Sequence, residues 1–371
     1  MTRFLIIFIS VYSSMHVFFY YRARVLLPHG EIPRALSILF LVLMVLAPII
    51  IRLLERNGYD LAAFLMAYIG YSWMGFLFVS FWGLLLLFAT SLSLKGLQMV
   101  SAISAPDPAG KEATAAVLVL ALLICMYGFF EARSIRVERI VMNTTKLPAS
   151  MDRLRIAQIS DVHLGLLVGK VRLKTILDRV RAERPDILVC TGDLVDGNID
   201  RVDQIDEEIN AINPPYGKFA VTGNHEYYAG LDRSLKFLRK FGFEVLRGEI
   251  REVDNLIRIA GVDDPAGGVS VHEASLLSPG NDTLFTLFLK HRPEVVEETL
   301  GLFDLQLSGH THLGQIFPFR FFTGTVYPLQ DGFHQLGHGS SIYTSRGSGT
   351  WGPPIRVLSP PEVTVIELVR E

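Results

Sequence analysis

Cysteine is scarce in this chain of 371 residues: the sequence has two, Cys125 and Cys190, and they lie in apolar runs in different halves. Two such residues cannot supply a disulfide framework or a zinc site built from several thiolates. Excess charge is also lacking, since 35 basic and 37 acidic residues leave a formal net charge of -2. A chain without a basic excess lacks the electrostatic attraction for a polyanion, so we expect no nucleic-acid partner.

Charge of either sign is sparse in the first third of the chain. Residues 1–131 carry 8 of the Lys and Arg residues and 6 of the Asp and Glu residues, and none of these lies between Asp60 and Lys95. A membrane core about 30 Å thick is crossed by a helix of about 20 apolar residues. Four stretches approach or exceed that length: 4–21, 35–51, 61–94 and 114–130. We therefore predict an all-α transmembrane block of about four spans over residues 1–131, a linker over 132–149 and a second domain over 150–371.

Several properties of this block stay open. Stretch 61–94 is too long for one upright span, so it is either one helix that is tilted, re-entrant or partly interfacial, or two short spans. Stretch 4–21 has no small-residue cleavage site and is expected to be retained rather than removed as a signal peptide. Anchoring is the simplest role for the block, and transport or capture of a lipid substrate are the alternatives. With four spans, six basic residues flank one side and five the other, which slightly favours a cytoplasmic second domain.

From residue 154 onward, short apolar runs alternate with segments of helical periodicity. Helices are predicted over residues 168–184 and 231–241, and residues 245–262 are typical of two antiparallel strands that turn at Asp254-Asn255. Further strands are predicted over 154–160, 186–191, 218–222, 283–289, 304–308, 341–345 and 363–369. Strands that alternate with helices, together with hairpins, predict an α/β domain with at least one mixed sheet.

Potential ligand residues follow five of these strands. They are Asp161 and His163, then Asp193 and Asp196, then Asn224 and His225, then His291, and last His310 and His312. Because ligands bind outside the carboxyl ends of strands in open α/β sheets, we expect these side chains to converge. Residues i and i+2 of an extended segment point the same way, so Asp161 and His163 are expected to bind one ion together, and His310 and His312 are expected to face the same side.

The mixture of carboxylate, amide and imidazole ligands limits the choice of metal. Such a set suits Mn, Fe, Co or Zn better than the all-oxygen sites of Mg or Ca. Seven candidate ligands are too many for a single ion with an open position. They suit two ions about 3.5–4 Å apart that share a bridging carboxylate.

The ordered motifs DVH, GDLVDG, GNHE, a lone His and GHTH resemble the calcineurin-like metallophosphoesterase family over about residues 150–371. Within that family, KHRPE (290–294) and SRGSGTWGPPIR (345–356) are similar to a bacterial membrane-associated branch that includes lipid-linked pyrophosphatases. The resemblance implies a four-layer αββα sandwich and two divalent metal ions.

The resemblance also implies a role for each motif residue. Asp161, His163, Asp193 and His312 would hold the first ion, and Asp193, Asn224, His291 and His310 the second. His225 matches the family's catalytic histidine, which gives a proton or hydrogen bond to the phosphoryl or leaving oxygen. Asp196 matches the carboxylate that orients this histidine.

The segment FPFRFF (317–322) allows two interpretations. Alternation would place Phe317, Phe319 and Phe321 on one buried strand face. Otherwise the segment is a loop at the rim of the metal site that touches the bilayer or an acyl chain, with Arg320 near a lipid phosphate. Arg346, in the glycine-rich tail, is a second candidate phosphate contact.

Together these features predict a membrane-anchored dimetal phosphoesterase that uses metal-activated water. Its substrate is expected to be a phosphodiester or pyrophosphate, with a lipid or nucleotide-lipid as the more specific hypothesis. Hydrolysis of a soluble substrate is the alternative within the same chemistry. A transporter or receptor regulated by its phosphoesterase domain is the alternative from a different class.

Overall fold

The computed structural model describes residues 2–100, 110–197, 211–268, 271–278 and 283–371. The chain divides into two compact units. The first comprises Met1–Phe130 and Gly352–Val357, and the second comprises Glu131–Trp351 and Leu358–Glu371.

The first unit is built from long apolar helices. They are α1 (Thr2–Ala23), α2 (Glu31–Arg56), α3 (Asp60–Val100) and α4 (Lys111–Glu131). The four predicted stretches therefore lie in helices, and among the described residues α2, α3 and α4 are long and apolar enough to cross a membrane. The alternative of two short spans within 61–94 is wrong, because α3 is one continuous helix of 41 residues. At 1.5 Å per residue it is about 60 Å long, roughly twice the hydrocarbon thickness.

Aromatic and aliphatic side chains fill the interior of this helical unit, including the buried Tyr12, Phe19 and Leu77. His16 is one of several polar side chains that are buried in this unit. His16 Nδ1 lies 2.8 Å from the Tyr12 carbonyl oxygen, and Trp73 Nε1 donates to His16 Nε2 at 3.0 Å. Both ring nitrogens of His16 therefore have a polar partner, which offsets the cost of burying them in an apolar medium.

The second unit contains two six-stranded mixed sheets. Sheet 1 has the order β1-β12-β2-β3-β4-β5, and sheet 2 has the order β10-β11-β9-β8-β7-β6. The strands of sheet 1 are β1 (Arg136–Thr144), β2 (Arg153–Ile159), β3 (Ile187–Cys190), β4 (Lys218–Ala220), β5 (Glu244–Val245) and β12 (Glu362–Arg370). Those of sheet 2 are β6 (Glu249–Val253), β7 (Ile257–Gly261), β8 (Phe285–Leu289), β9 (Leu305–Ser308), β10 (Gly332–Gly337) and β11 (Ser340–Thr344). The strands β2 to β5 are parallel, as are β7, β8, β9 and β11.

Among the described residues of the second unit the α-helices are α5 (Lys170–Ala182), α6 (Asn224–Ala229), α7 (Leu231–Lys240), α8 (Glu273–Leu277) and α9 (Arg320–Val326). The facing sides of the two sheets share one core, to which Ile156 of β2 and Leu287 of β8 contribute. On its other face sheet 1 packs against α5 and α7, and sheet 2 packs against Leu277 of α8. The predicted four-layer αββα sandwich is confirmed.

The segment expected to be a linker, 132–149, contains the strand β1, which pairs in parallel with β12. The linker prediction was wrong because RVERIVMNT mixes charged with apolar residues. That pattern suits an edge strand, and β1 is at the edge of sheet 1 and is exposed or half-exposed throughout.

The interpretation of FPFRFF as a buried strand is also wrong. Its last three residues begin α9, and the side chains of Phe317, Phe319, Phe321 and Phe322 are 40%, 45%, 64% and 50% exposed. The rings pair with one another rather than with a core: Phe317 contacts Phe321, and Phe319 contacts Phe322. Alternation of aromatic residues indicates a strand only when one face of the segment is covered, and here neither is.

Candidate metal centre

The ligand candidates lie at the carboxyl ends of parallel strands in both sheets. Sheet 1 supplies Asp161 and His163 after β2, Asp193 after β3, and Asn224 at the start of α6 after β4. Sheet 2 supplies His291 after β8, and His310 and His312 after β9. The site therefore lies where the ends of the two sheets meet, as the position of the motifs along the chain predicts.

A first group of ligand atoms belongs to Asp161, His163 and His312, all of which are buried. The Nε2 atoms of His163 and His312 are 3.0 Å apart, and His312 Nε2 is 3.5 Å from Asp161 Oδ1. Burial lowers the pKa of His163 to about 4, so its imidazole is neutral and can offer a lone pair.

A second group belongs to Asp193, His291 and His310. His291 Nε2 lies 3.3 Å from Asp193 Oδ2 and 3.1 Å from His310 Nδ1. The same Asp193 oxygen is 3.9 Å from His163 Nε2 in the first group. Asp193 therefore lies within reach of ligand atoms of both groups.

The free donor atoms fit a pair of divalent cations. Asn224 Oδ1 is buried and has no hydrogen-bond partner among the described residues, a costly arrangement unless a cation takes its lone pairs. His291 Nδ1 lies 2.8 Å from the Thr191 carbonyl oxygen, which fixes the proton there and leaves Nε2 as the donor atom.

The backbone at these positions is not extended, contrary to the expectation behind the i and i+2 pairs. Asp161, His163, Asp193, His310 and His312 have φ values of 51°, 55°, 51°, 73° and 50°, which place them in the left-handed region. Non-glycine residues adopt this conformation at some cost, and such residues concentrate at functional sites. As a result His310 and His312 enter different ligand groups.

Two glycines allow the ligand loops to approach each other closely. A Cβ atom on Gly223 would lie 2.2 Å from Asp193 Oδ1, and one on Gly309 would lie 2.2 Å from Asp161 Oδ2. No larger residue fits at either position without displacing a ligand carboxylate.

Glu226 supports the loops without being a candidate ligand. Its buried carboxylate accepts hydrogen bonds from the backbone amides of Asp193, Leu194 and Gly223 at 2.9, 2.9 and 2.6 Å. Burial and the nearby Asp193 charge raise the pKa of Glu226 to about 7. Sequence reasoning missed this role, although a Glu three residues after Gly223 at the start of a helix matches a capping box.

His225 lies beside both ligand groups. Its Nδ1 is 2.7 Å from Asp196 Oδ1, and its backbone amide donates to Asp193 Oδ1 at 2.8 Å. Burial on its own lowers the pKa of His225, but the charges of Asp193 and Asp196 outweigh it and raise the pKa to about 9. His225 is therefore protonated at neutral pH, with Nε2 as the nitrogen left for a substrate.

His310 has an outer partner that the sequence did not indicate. The Tyr327 hydroxyl is 3.2 Å from His310 Nε2, the nitrogen that points away from His291. Next to them, Arg292 donates two hydrogen bonds to Asp264 at 2.8 and 2.9 Å, and this cation also interacts with Tyr327. No motif marks Tyr327, which lies 17 residues after His310.

The two arginines predicted to contact phosphate, Arg346 and Arg320, make other contacts in the structure. Arg346 forms ion pairs with Glu138 and Glu362, so two carboxylates already neutralise its charge. The expectation that Arg346 contacts a phosphate does not fit these ion pairs. Arg320 is half-buried at the start of α9, and its backbone packs against Gly314.

The comparison with known proteins agrees with this geometry. Residues 154–314 match the calcineurin-like phosphoesterase model. A metallophosphoesterase of Aquifex aeolicus is 41% identical over 261 residues, which cover 68% of this chain and 98% of that protein. The chain belongs to the calcineurin-like metallophosphoesterase family.

Two further relatives extend the comparison. A metallophosphoesterase of Bacillus subtilis is 32% identical over 260 residues, covering 65% of this chain and 89% of that protein. A zebrafish (Danio rerio) protein named a transmembrane protein with metallophosphoesterase domain is 30% identical over 274 residues, covering 69% of this chain and 62% of that protein. With α2, α3 and α4, which are long and apolar enough to cross a membrane, this likeness indicates that the chain is associated with a membrane.

Membership of the family makes this chain a hydrolase of phosphate esters with a dinuclear divalent metal centre. All seven predicted ligand residues belong to the strand-end loops described above, and six of them form the first and second groups of converging ligand atoms. The seventh, Asn224, contributes the buried oxygen that lacks a partner.

Proposed function

We propose that the chain is a membrane-anchored dimetal phosphoesterase that hydrolyses a phosphodiester or pyrophosphate bond with water as the nucleophile. The observation that carries this proposal is the position of Asp193. Its carboxylate lies between the two ligand groups, and its Oδ1 also accepts the His225 amide. Metal binding and proton donation would thus both depend on the side chain of Asp193.

Each ligand group has a distinct assignment. Asp161, His163, Asp193 and His312 would hold the first ion, and Asp193, Asn224, His291 and His310 would hold the second, from among Mn, Fe, Zn and Co. When bound, such a pair supplies charge that stabilises phosphoryl oxygens and lowers the pKa of a coordinated water.

His225 would act as the general acid. The attacking water gives up a proton to solvent and its oxygen forms the new bond to phosphorus. The bond from phosphorus to the leaving oxygen breaks, and the His225 proton passes to that oxygen. Asp196 contacts Nδ1 at 2.7 Å, so it orients the ring and stabilises the protonated form.

The test is metal-dependent hydrolysis by the full chain purified in detergent. We expect hydrolysis of bis-p-nitrophenyl phosphate with at least one of Mn, Zn, Fe or Co, and its loss in Asp193→Asn. Absence of hydrolysis with every one of these metals, at two bound ions per chain, would contradict the proposal.

A lipid substrate is supported by the exposed aromatic patch formed by Phe317, Phe319, Phe321 and Phe322. Four phenylalanines within six residues, each at least 40% exposed, form an apolar surface of the kind that contacts membranes or acyl chains. The patch begins five residues after the ligand His312, and Arg320 within it offers a cation for a lipid phosphate.

The double variant Phe321→Ser/Phe322→Ser tests the lipid substrate. We expect hydrolysis of bis-p-nitrophenyl phosphate to persist, and cleavage of a short-chain phospholipid analogue in mixed micelles to fall about tenfold. Phe333→Ser, which changes an exposed phenylalanine of β10 outside the patch, is the matched control. An equal fall on both substrates would point to a structural role for the patch and would favour a soluble substrate.

We also propose a multi-pass arrangement with the second unit on the cytoplasmic side. This orientation is supported by the basic residues that flank the helices, which number six on one side and five on the other. On the cytoplasmic side lie Arg3, Arg52, Arg56, Arg133, Arg136 and Arg139, and on the other side lie Arg22, Arg24, Arg34, Lys95 and Lys111. Protease digestion of intact spheroplasts should leave an epitope at residue 371 intact. Loss of this epitope would show that the second unit lies on the opposite side of the membrane.

A further inference from the structure

Two half-exposed aromatic side chains flank the catalytic histidine. The ring of Tyr228 lies 5.4 Å from that of His225 at an interplanar angle of 65°, and the ring of Trp351 lies 5.7 Å away at 75°. His225 itself is buried, whereas Tyr228 and Trp351 are 60% and 49% exposed. The two aromatic residues therefore border the solvent side of the histidine.

Trp351 is held in this position by the segment that carries the ligand His312. Gln315 Nε2 donates to the Trp351 carbonyl oxygen at 2.9 Å, and the Trp351 amide donates to Gln315 Oε1 at 2.9 Å. The backbone of Gln315, whose side chain makes both bonds, adopts a φ of 54° in the left-handed region. A reciprocal pair of hydrogen bonds from a strained, buried glutamine fixes the tryptophan backbone beside the site.

The segment before Trp351 is fixed to the loop after β2 as well. The amides of Ser348 and Gly349 donate to the carbonyl oxygens of Ser160 and Asp161 at 2.7 and 3.0 Å. A Cβ atom on Gly349 would lie 2.0 Å from the Val162 carbonyl oxygen, so this approach requires glycine. Trp351 is thus positioned by both strand-end loops that carry the first ligand group.

Tyr228 is placed beside His225 by the helix that carries both residues. It lies three residues after His225 on α6, so the two side chains share one helical face. If either aromatic residue served only to pack the core, folding would bury it. Instead each keeps about half of its surface accessible next to the atom that donates the proton.

We infer that Trp351 and Tyr228 form a subsite for the leaving group of the phosphoester, and that this subsite selects a planar ring. The inference rests on the proposed function, because only the leaving oxygen must approach His225 Nε2. A group attached to that oxygen then lies against the aromatic residues around His225. Stacking on aromatic faces favours a flat, π-containing group over a saturated one of equal size.

The test compares two diesters of similar size, one with a planar ring and one with a saturated ring in the leaving group, and follows how each variant changes their ratio of kcat/KM. Methyl benzyl phosphate and methyl cyclohexylmethyl phosphate release primary alcohols of similar size, and the released benzyl alcohol or cyclohexylmethanol is measured by chromatography. The full metal-loaded chain in detergent should show a higher kcat/KM for the benzyl ester. Trp351→Ala should lower the ratio of the two kcat/KM values about fivefold, and Tyr228→Ala should lower it less.

Conservative variants guard against a general loss of structure. Trp351→Phe keeps a planar ring and should preserve the ratio within about twofold, and Phe333→Ala, at an exposed aromatic outside the site, should leave it unchanged. If the wild type hydrolyses both esters but Trp351→Ala leaves the ratio unchanged, the subsite is refuted and the proposed function stands. If the metal-loaded wild type hydrolyses neither these esters nor bis-p-nitrophenyl phosphate, the proposed function fails and the subsite fails with it.

Discussion

His163 of the first ligand group differs from both histidines of the second group in how it is held from outside. In the second group, His291 Nδ1 is paired with the Thr191 carbonyl oxygen and His310 Nε2 with the Tyr327 hydroxyl. In the first group, His163 Nδ1 is buried and has no hydrogen-bond partner within the described part of the chain; the nearest carboxylate oxygen, of Asp196, is 3.9 Å away. Outer hydrogen bonds fix the tautomer and orientation of a ligand histidine, so we expect the second group to bind its ion more tightly.

The largest effect is expected where the two groups meet. Asp193→Asn removes the carboxylate charge that both groups share and leaves His291 beside a neutral amide. Bound metal should fall below one ion per chain, and kcat should fall by about 10³-fold or more. Metal analysis by mass spectrometry together with steady-state kinetics measures both quantities. Retention of two ions would show that the groups do not share Asp193.

A second variant separates proton donation from metal binding. His225→Ala removes the general acid but none of the seven assigned ligands, so metal content should stay at two ions per chain. We expect kcat to fall by about 10²- to 10⁴-fold. The fall should be smallest for p-nitrophenyl esters, whose leaving group needs little protonation. Loss of one ion in this variant would instead identify His225 as a ligand.

The smallest effect tests the outer partner of the second group. Tyr327→Phe keeps the ring and removes the hydroxyl that contacts His310 Nε2. We expect the affinity for the ion of the second ligand group to fall about tenfold, as measured by calorimetric metal titration. The affinity for the ion of the first ligand group should be unaffected. Tyr228→Phe serves as the control, because its hydroxyl is removed without changing a contact to a ligand histidine. Equal metal affinities in Tyr327→Phe and the wild type would show that this outer hydrogen bond does not strengthen metal binding by the second group.

The sequence was sufficient to predict the α/β sandwich and the place of the ligands in it. Strands such as β3, which is wholly buried, were recognised by their apolar runs, and the residues after them by their unusual polarity. The strands β1 and β10 were missed because neither contains a buried residue, so no apolar run marks them.

Conformation within the ligand loops could not be predicted in the same way. The left-handed backbone at His310 and His312 arises from contacts with residues about 150 positions away, such as the hydrogen bonds from the His310 amide to Asp161. The same holds for Tyr327 and Trp351, which reach the site through tertiary packing alone. For Arg346 the pattern offered a cation in a glycine-rich tail, and only the fold shows that Glu138 and Glu362 neutralise it.

Hydrolysis is expected to require two ions that are bound with unequal affinity and act together. The direct measurement is a titration of the metal-free full chain with Mn²⁺, in which bound metal and the rate of bis-p-nitrophenyl phosphate hydrolysis are followed together. We expect the first equivalent to bind with little activity and the rate to rise as the second equivalent binds. Full activity at one ion per chain, or saturation at a single ion, would contradict it.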